Sequence, residues 1–293
     1  MEAGILATLV LPVALGVIML GLGLSLTPAD FRRLLVVPRA ILGSLALMFV
    51  VLPAIAFGIA KGFGLAPEMA VGLMLLAATP SGGTATLFTH LARGDTALAL
   101  TLTAFSNLLG IFAITLFAQG SMGQFLGEDK RIPLQLAEIL KVLAVILLPA
   151  FIGMFLRSLK PAIAARMDRP VRLLSLVFLV LVIVALVVKE RAILGSSFRE
   201  VGLAVLAFNV VGMALGYLLC WLLKVPRDQA TAVAMGLGVR NGTLTITVAG
   251  TALGSMAMAI PAAVYSLLMF GTAALAGVLF RPKKGAPGAA RHP

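Results

Sequence analysis

PEMAVGLMLLAATPSGGTATLF, residues 67–88, returns at an offset of 159 as PRDQATAVAMGLGVRNGTLTIT, residues 226–247. The opening prolines align without a gap, and so do the GTxT motifs that begin at Gly83 and Gly242. Each copy starts as helices do, with proline in the first turn and a carboxylate close behind it. We interpret the match as an internal duplication rather than a chance likeness between apolar segments.

Each copy runs apolar for about three turns and is then interrupted by polar and glycine residues. The interruptions are TPSGG at residues 79–83 and GLGVRNG at residues 236–242. Such a break leaves backbone N–H and C=O groups that lipid cannot satisfy, so it must be buried in protein or line a cavity. Paired breaks at corresponding positions of two halves indicate the binding site of a transporter.

The composition excludes a soluble fold. The chain has 293 residues, of which 61% are hydrophobic and 12% are charged, and its mean hydropathy is +1.11. We therefore predict an all-α polytopic membrane protein. The net charge of +12 comes from basic residues in short loops between spans, which signals topology and argues against nucleic acid as a partner. The single cysteine, Cys220, excludes an intramolecular disulfide.

Nine apolar stretches are long enough to cross a bilayer. They lie at about 3–26, 38–61, 67–92, 95–119, 133–156, 170–188, 200–223, 227–252 and 256–280, and the third and eighth are broken. The offset separates equivalent helices by five spans. The two copies are therefore predicted to face opposite sides of the membrane, as an inverted repeat.

We predict one transmembrane domain at residues 1–281 and a disordered cytoplasmic tail at 282–293, which is polar and rich in proline and glycine. Repeat one covers about 3–119 and repeat two about 162–280, with an unpaired helix at about 133–156. With the C-terminus inside, the inner loops hold fifteen Lys and Arg residues against seven in the outer loops. This bias predicts an N-terminus outside and a C-terminus in the cytoplasm, in the cell (inner) membrane.

Arg240, in the second break, is the one ionisable residue predicted at membrane depth, where burying a charge is expensive. All 11 acidic residues fall in loops, at span ends or in a first helical turn. Three roles are open for the arginine. It could hold an anionic substrate by a bidentate fork, act as a tethered cation in place of a coupling ion, or cap carbonyls freed by the broken helix.

Hydroxyl, amide and glycine residues surround Arg240 in the two breaks and can bond to a ligand or to loose backbone. Helix N-termini near the GTxT motifs would aim free N–H groups at the crossing, where an anion binds well. The predicted substrate site comprises Arg240, Asn241, Thr84, Gly83, Thr243 and Ser81. Asn209, in the seventh span, is interpreted as a contact between helices rather than as a ligand.

Four stretches of the chain resemble the bile acid:sodium symporter family, and the resemblance covers nearly the whole sequence. They are GLGLSLTPADF at 21–31, PSGGTATLFTHLARGD at 80–95, PRDQ at 226–229 and GLGVRNGT at 236–243. The resemblance implies a core domain of spans 3, 4, 8 and 9, with spans 2 and 7 as partners, beside a panel domain. The two broken helices are expected to cross in that core.

The family's sodium ligands are only partly kept. The resemblance places a degenerate ion site at Thr86, Thr103, Gly236 and Arg240, where glycine stands for the family's glutamate and arginine for its glutamine. The loss of anionic and amide ligands therefore coincides with the gain of a cation. We expect sodium coupling to be weakened or absent, and we expect no cofactor.

These features predict a secondary transporter of small organic anions that works by alternating access, and not an enzyme. Bile acids, pantoate-like acids, keto acids and sulfonates all fit an arginine at a helix crossing. One alternative is a sodium-coupled organic anion symporter that binds the ion through hydroxyl and backbone ligands. The other is a channel or a non-transporting ligand sensor, although a channel needs a continuous polar lining.

Overall fold

The structure is a computed structural model of the chain. It describes isolated positions between residues 13 and 24 and between 166 and 184, and the continuous ranges 36–127, 136–164 and 191–280. The predicted spans at about 3–26 and 170–188 lie outside the described residues apart from those isolated positions. The predicted tail at 282–293 lies wholly outside them.

Helices and their connections make up the described ranges, apart from one isolated β-bridge. Two π-helical turns, at Leu47–Val51 and Val248–Ala252, and a short 3₁₀ turn, at Ala257–Ala259, join some of the helices. In chain order the helices are α1 (Pro38–Ala46), α2 (Leu52–Gly62), α3 (Pro67–Ala78), α4 (Thr84–Leu91), α5 (Thr96–Phe125), α6 (Leu136–Leu159), α7 (Arg191–Leu222), α8 (Arg227–Gly238), α9 (Gly242–Thr247) and α10 (Ile260–Leu279).

A π-helical turn lets α1 continue into α2 through a proline. Pro53 has no N–H to donate and its ring crowds the preceding turn, so a regular α-helix could not pass it without loss. The wider turn at Leu47–Val51 absorbs that mismatch just before it. The result is one continuous stretch, Pro38–Gly62, that matches the predicted second span.

Three helical stretches in the described part of the chain are long and apolar enough to cross a membrane: Pro38–Gly62, Val201–Leu222 and Ala257–Leu279. Helix α5 is a fourth if its halves, Thr96–Gly110 and Phe112–Phe125, form one span bent by 51°. The all-helical architecture and these apolar stretches agree with the predicted class of membrane protein.

The two broken spans lie at the centre of the described structure. Residues 69–78 of α3 and residues 230–238 of α8 are all buried, which explains why these two segments are apolar on every side apart from Thr231. Helix α5 packs along α3, and α7 packs along α8. Small residues allow the close approach, since a Cβ at Gly216 of α7 would lie 3.2 Å from the Cα of Ala234.

Two helices extend beyond the membrane spans predicted for them. Helix α5 continues to Phe125, beyond the predicted end at 119, because Met122 is fully buried and tertiary packing outweighs the glycines around it. Helix α7 begins at Arg191, and its apolar stretch, Val201–Leu222, matches the predicted span at 200–223. The segment from 191 to 199, predicted as part of an outer loop, is therefore helical.

Candidate functional site

Both breaks fall where the sequence predicts them. Helix α3 ends at Ala78, Thr79 turns extended (φ −72°, ψ 151°), and α4 starts at Thr84. Helix α8 ends at Gly238, Val239 turns extended (φ −101°, ψ 96°), and α9 starts with the next GTxT motif. Each broken span therefore consists of two helical segments joined by a few extended residues.

The extended segments lie against each other and pair. Ser81 and Arg240 form an antiparallel β-bridge. The backbone N–H of Gly82 donates to the carbonyl of Val239 at 2.7 Å, and that of Asn241 donates to the carbonyl of Pro80 at 3.0 Å. The breaks thus satisfy some of each other's free backbone groups, as an environment without water requires.

The two hydrogen bonds are equivalent under the offset of 159 found in the sequence. Adding that offset to Gly82 and Pro80 gives Asn241 and Val239, so each bond maps onto the other with donor and acceptor preserved. The contact is close enough to need glycine, since a Cβ at Gly82 would lie 2.9 Å from the carbonyl oxygen of Arg240. The crossing therefore has a local two-fold relation between the copies.

Arg240 lies inside this crossing with 1% of its surface exposed. Its Nη2 donates to the carbonyl of Ala77 at 2.5 Å. Ala77 belongs to the last turn of α3, where the helix dipole is negative and carbonyls lack a helical partner. Of the three roles open for this arginine, the capping of a freed carbonyl is therefore present in the structure.

The guanidinium retains donors that this cap does not use. Buried Nε and Nη1 of Arg240 have no hydrogen-bond partner. A planar guanidinium has two edges that each present two donors: Nε–H with one Nη2–H, and Nη1–H with the other Nη2–H. The Ala77 carbonyl accepts only one of the two Nη2 hydrogens, so the edge that contains the other hydrogen keeps both of its donors. That edge has the geometry that binds a carboxylate in a bidentate manner.

Hydroxyl groups and a glycine lie on the other side of the crossing, around Ser81. The Thr103 hydroxyl donates to Ser81 Oγ at 3.5 Å, and the Ser81 backbone N–H donates to the hydroxyl of Ser106 at 3.2 Å. A Cβ at Gly236 would lie 3.7 Å from Ser81 Oγ. The structure therefore brings together Ser81 of the predicted substrate site with Thr103 and Gly236 of the predicted ion site.

The remaining predicted residues occupy different environments. In α4 and just before it, Gly83 is exposed and Thr84 and Thr86 are half-buried, although the Thr86 hydroxyl oxygen itself is buried and unbonded. In the second break, Asn241 and Thr243 are buried. Asn241 caps α9, because its Oδ1 accepts from the N–H of Leu244 at 3.1 Å. That first-turn N–H is therefore already occupied.

Two residues outside the predicted site hold the second break in place. Asn209 Nδ2 and the Tyr265 hydroxyl both donate to the carbonyl of Gly238, at 2.8 and 2.6 Å. The prediction that Asn209 joins helices is confirmed. Tyr265 was missed, although a tyrosine within an apolar last span is itself a signal, since a buried hydroxyl needs a partner.

Acidic or metal-binding side chains do not gather near the crossing in the described ranges. Within those ranges, no three His, Cys, Asp or Glu residues converge to hold a metal ion. A cation at the crossing would therefore depend on hydroxyl and carbonyl oxygens, beside a fixed guanidinium. The chemistry that the arrangement offers most directly is the binding of an anion.

Several known proteins resemble this chain along most of its length. The sequence profile described as "Sodium Bile acid symporter family" matches residues 12–197. The "Uncharacterized sodium-dependent transporter YocS" of Bacillus subtilis (strain 168) is 30% identical over 254 residues, covering 86% of this chain and 77% of that protein. The "Probable sodium/metabolite cotransporter BASS1, chloroplastic" of Arabidopsis thaliana is 28% identical, covering 87% of this chain and 62% of that protein.

A more distant likeness is to the human "P3 protein", which is 28% identical over 209 residues, or 71% of this chain and 44% of that protein. The chain thus spans less than two thirds of the plant and human relatives. The profile covers well over half of the chain and includes the first break. The chain therefore belongs to the sodium bile acid symporter family, whose members are membrane transporters and not enzymes.

Proposed function

We propose that this protein carries small organic anions across a membrane by alternating access, with Arg240 as the contact for the anion. Coupling to sodium is weakened or absent. The observation that carries the proposal is the guanidinium at the crossing, which is 1% exposed, holds one carbonyl and retains unbonded donors. A buried cation without a carboxylate partner is a strong site for a negative charge.

The arginine also takes the place of a coupling cation. It supplies a permanent positive charge at the C-terminal end of α3, where a bound ion would otherwise offset the helix dipole. A second monovalent cation about 4 Å from it would be repelled by about 4 kcal/mol at an effective dielectric constant of about 20. Gly236 offers no side chain to offset that repulsion.

The anion is proposed to bind the free edge of Arg240 together with other residues of the two breaks: Ser81, Gly83, Thr84, Asn241 and Thr243. Nε and Nη1 are buried in the described conformation. Binding therefore requires an opening beside the crossing, which is the movement that alternating access provides. A carboxylate, sulfonate or phosphate group presents oxygens that match the arginine fork.

The proposed architecture is an inverted repeat of nine transmembrane helices, with a core domain beside a panel domain. Support comes from the two equivalent hydrogen bonds between the breaks and from the hydrophobic spans of the sequence. The excess of Lys and Arg in alternate loops favours a cytoplasmic C-terminus and an outer N-terminus, in the cell membrane.

Transport without a coupling cation has an energetic consequence. A membrane potential that is negative inside opposes entry of a single anionic charge by about 2.3 kcal/mol per 100 mV. A carrier of this kind favours exchange of one anion for another, or export. Anion exchange is therefore the expected mode.

A second candidate function is sodium-coupled symport. It is favoured by the relatives whose names include sodium dependence or sodium/metabolite cotransport. In this alternative the ion binds the hydroxyl cluster of Ser81, Thr103 and Ser106 together with backbone carbonyls. The guanidinium then serves only as the structural cap on α3.

One experiment separates the two candidates. The purified full chain in proteoliposomes is loaded with pantoate, pyruvate or taurocholate, and counterflow of the labelled anion is measured in sodium, potassium and choline buffers. We expect saturable counterflow that persists in potassium and choline. Strict dependence on sodium would exclude the uncoupled mechanism, and flux without counterflow would indicate a channel. Ligand-induced stabilisation without any flux would indicate a sensor.

A further inference from the structure

Two buried side chains from different helices meet at one backbone carbonyl, that of Gly238. Asn209 on α7 donates to it at 2.8 Å and Tyr265 on α10 donates at 2.6 Å. Both side chains have 0% of their surface exposed. A carbonyl oxygen has two lone pairs, so this acceptor is saturated by the two donors.

This carbonyl lies two residues before Arg240, at the end of α8, where the break frees it from the helix. The residue is also confined by a neighbouring side chain, since a Cβ at Gly238 would lie 2.2 Å from Cγ of Met213. Fixing this peptide plane fixes the direction in which Val239 turns extended. It therefore also fixes the point from which the arginine side chain leaves the backbone.

The backbone at the first break is held by different hydrogen bonds. Thr79 corresponds to Gly238 under the offset of 159, and its own hydroxyl donates to the carbonyl of Leu76 at 2.6 Å. The freed carbonyls at that end of α3 therefore take one donor from their own helix, Thr79, and one from the other break, Arg240. The break that carries the guanidinium instead takes its donors from two neighbouring helices.

We propose that Tyr265 and Asn209 are positioning residues for Arg240: by holding the Gly238 carbonyl they aim the guanidinium at Ala77 and keep its free edge oriented for the anion. This inference rests on the proposed function only where it concerns the anion. The positioning itself concerns the described geometry and can be tested without a substrate.

Each donor can be removed with little change in shape. Tyr265→Phe deletes only the hydroxyl and keeps the ring that packs at 6.0 Å from the ring of Phe208. Asn209→Leu keeps a similar volume without the amide. The other tyrosine of the chain supplies a matched control, because Tyr217→Phe also deletes one hydroxyl, from a ring stacked at 4.4 Å on Phe280.

The test measures the rate at which phenylglyoxal modifies Arg240 in the purified full chain, followed by mass spectrometry of its peptide. Reaction of N-ethylmaleimide with Cys220, the single cysteine and fully buried, reports general loosening of the structure in the same samples. We expect each single variant to raise the labelling rate of Arg240 about fivefold, the usual effect of one lost hydrogen bond. Cys220 labelling and the Tyr217→Phe control remain at wild-type rates.

The double variant gives the sharper result. Each single variant leaves one donor on the Gly238 carbonyl, whereas the double variant leaves none. The rise in the labelling rate of Arg240 in the double variant should therefore exceed the product of the rises in the two single variants. Wild-type labelling of Arg240 in the double variant would overturn the proposal, as would an equal rise at Cys220. Failure of the proposed function is separate: Arg240→Gln would then leave the stabilisation by pantoate, pyruvate or taurocholate unchanged, whatever the labelling shows.

Discussion

Ser81 and Arg240 pair across the β-bridge at the crossing, and they are also equivalent residues of the two copies under the offset of 159. The local two-fold relation therefore passes between them. One copy places a hydroxymethyl group at this point and the other places a guanidinium. A nearly symmetric backbone thus carries asymmetric chemistry, with the positive charge aimed at α3 and the hydroxyl cluster facing α5 and α8.

Replacing Arg240 by glutamine should remove most of the affinity for anions. Glutamine keeps a donor but loses the charge and the two-donor edge, and a charge-assisted hydrogen bond contributes about 1.5–3 kcal/mol. We expect the stabilisation by pantoate, pyruvate or taurocholate in thermal unfolding to require at least about tenfold more ligand, because about 1.4 kcal/mol corresponds to tenfold.

Arg240→Lys is the informative companion to that variant. Lysine keeps the charge but not the planar fork. A smaller loss of anion affinity in this variant than in Arg240→Gln would show that charge and geometry both contribute. Equal ligand-induced shifts in wild type, Arg240→Lys and Arg240→Gln would contradict the assignment of the arginine as the anion contact.

Sodium should not stabilise the wild-type protein. A ligand that binds only the folded state raises its stability by about 2.7 kcal/mol at one hundred times its dissociation constant, so a bound ion is visible as a shift in unfolding temperature. We expect equal unfolding temperatures in sodium chloride and choline chloride at equal ionic strength. A higher temperature in sodium would favour the symporter alternative.

A variant that gains a sodium site should be detectable by the same unfolding measurement. A Cβ at Gly236 would lie 2.7 Å from Cδ2 of Leu102, so a larger residue there needs room. The variant Gly236→Glu with Arg240→Gln and Leu102→Ala adds a carboxylate, removes the cation and creates that room. We expect it to unfold at a higher temperature in sodium than in choline, whereas the matched variant with Gly236→Gln should show no difference.

Two neighbouring glycines at the first break should differ in how well they tolerate alanine. A Cβ at Gly82 would lie 2.9 Å from a backbone oxygen of the other break, which cannot move aside, whereas a Cβ at Gly83 meets no atom within 4 Å. Gly82→Ala should therefore lower the free energy of unfolding by about 1–3 kcal/mol, as overpacking does. Gly83→Ala should change it by less than about 1 kcal/mol.

Denaturant titration of both variants in the same detergent checks this pair. Because the two residues are adjacent, differences in expression or in detergent binding affect both variants alike. Equal losses of stability would mean that the crossing is not as tightly packed as the bridge between the breaks requires.

The sequence was sufficient to locate the crossing but not to orient its side chains. Polar and glycine residues inside apolar helices predict the breaks to within about three residues, since α8 stays helical through Gly238 of the predicted break at 236–242. The backbone groups that such residues free can be satisfied only inside protein or in a cavity. The register of the repeat likewise predicts which residues are equivalent. Hydrogen-bond partners are set by the rotation of neighbouring helices about their axes, and no short-range pattern encodes that rotation.

Arg240 and Tyr265 illustrate this limit. The depth of the arginine followed from its place in the break, but three roles stayed open because its partner, Ala77, lies 163 residues away in the chain. Tyr265 bonds a carbonyl 27 residues away, on another helix. The sequence predicts that a buried tyrosine hydroxyl needs a hydrogen-bond partner. Which group serves as that partner depends on how α10 packs against α8.

Thr103 provides the last discrimination between uncoupled transport and sodium symport. Its hydroxyl donates to Ala99 at 2.8 Å within α5 and only weakly to Ser81, at 3.5 Å. Thr103→Val keeps the shape and removes the oxygen, so the free energy of unfolding should fall by about 1 kcal/mol. In an uncoupled carrier the dependence of counterflow on sodium stays absent after this change. In a symporter that uses this hydroxyl as a ligand, the sodium concentration for half-maximal counterflow rises, and that rise would contradict the proposed mechanism.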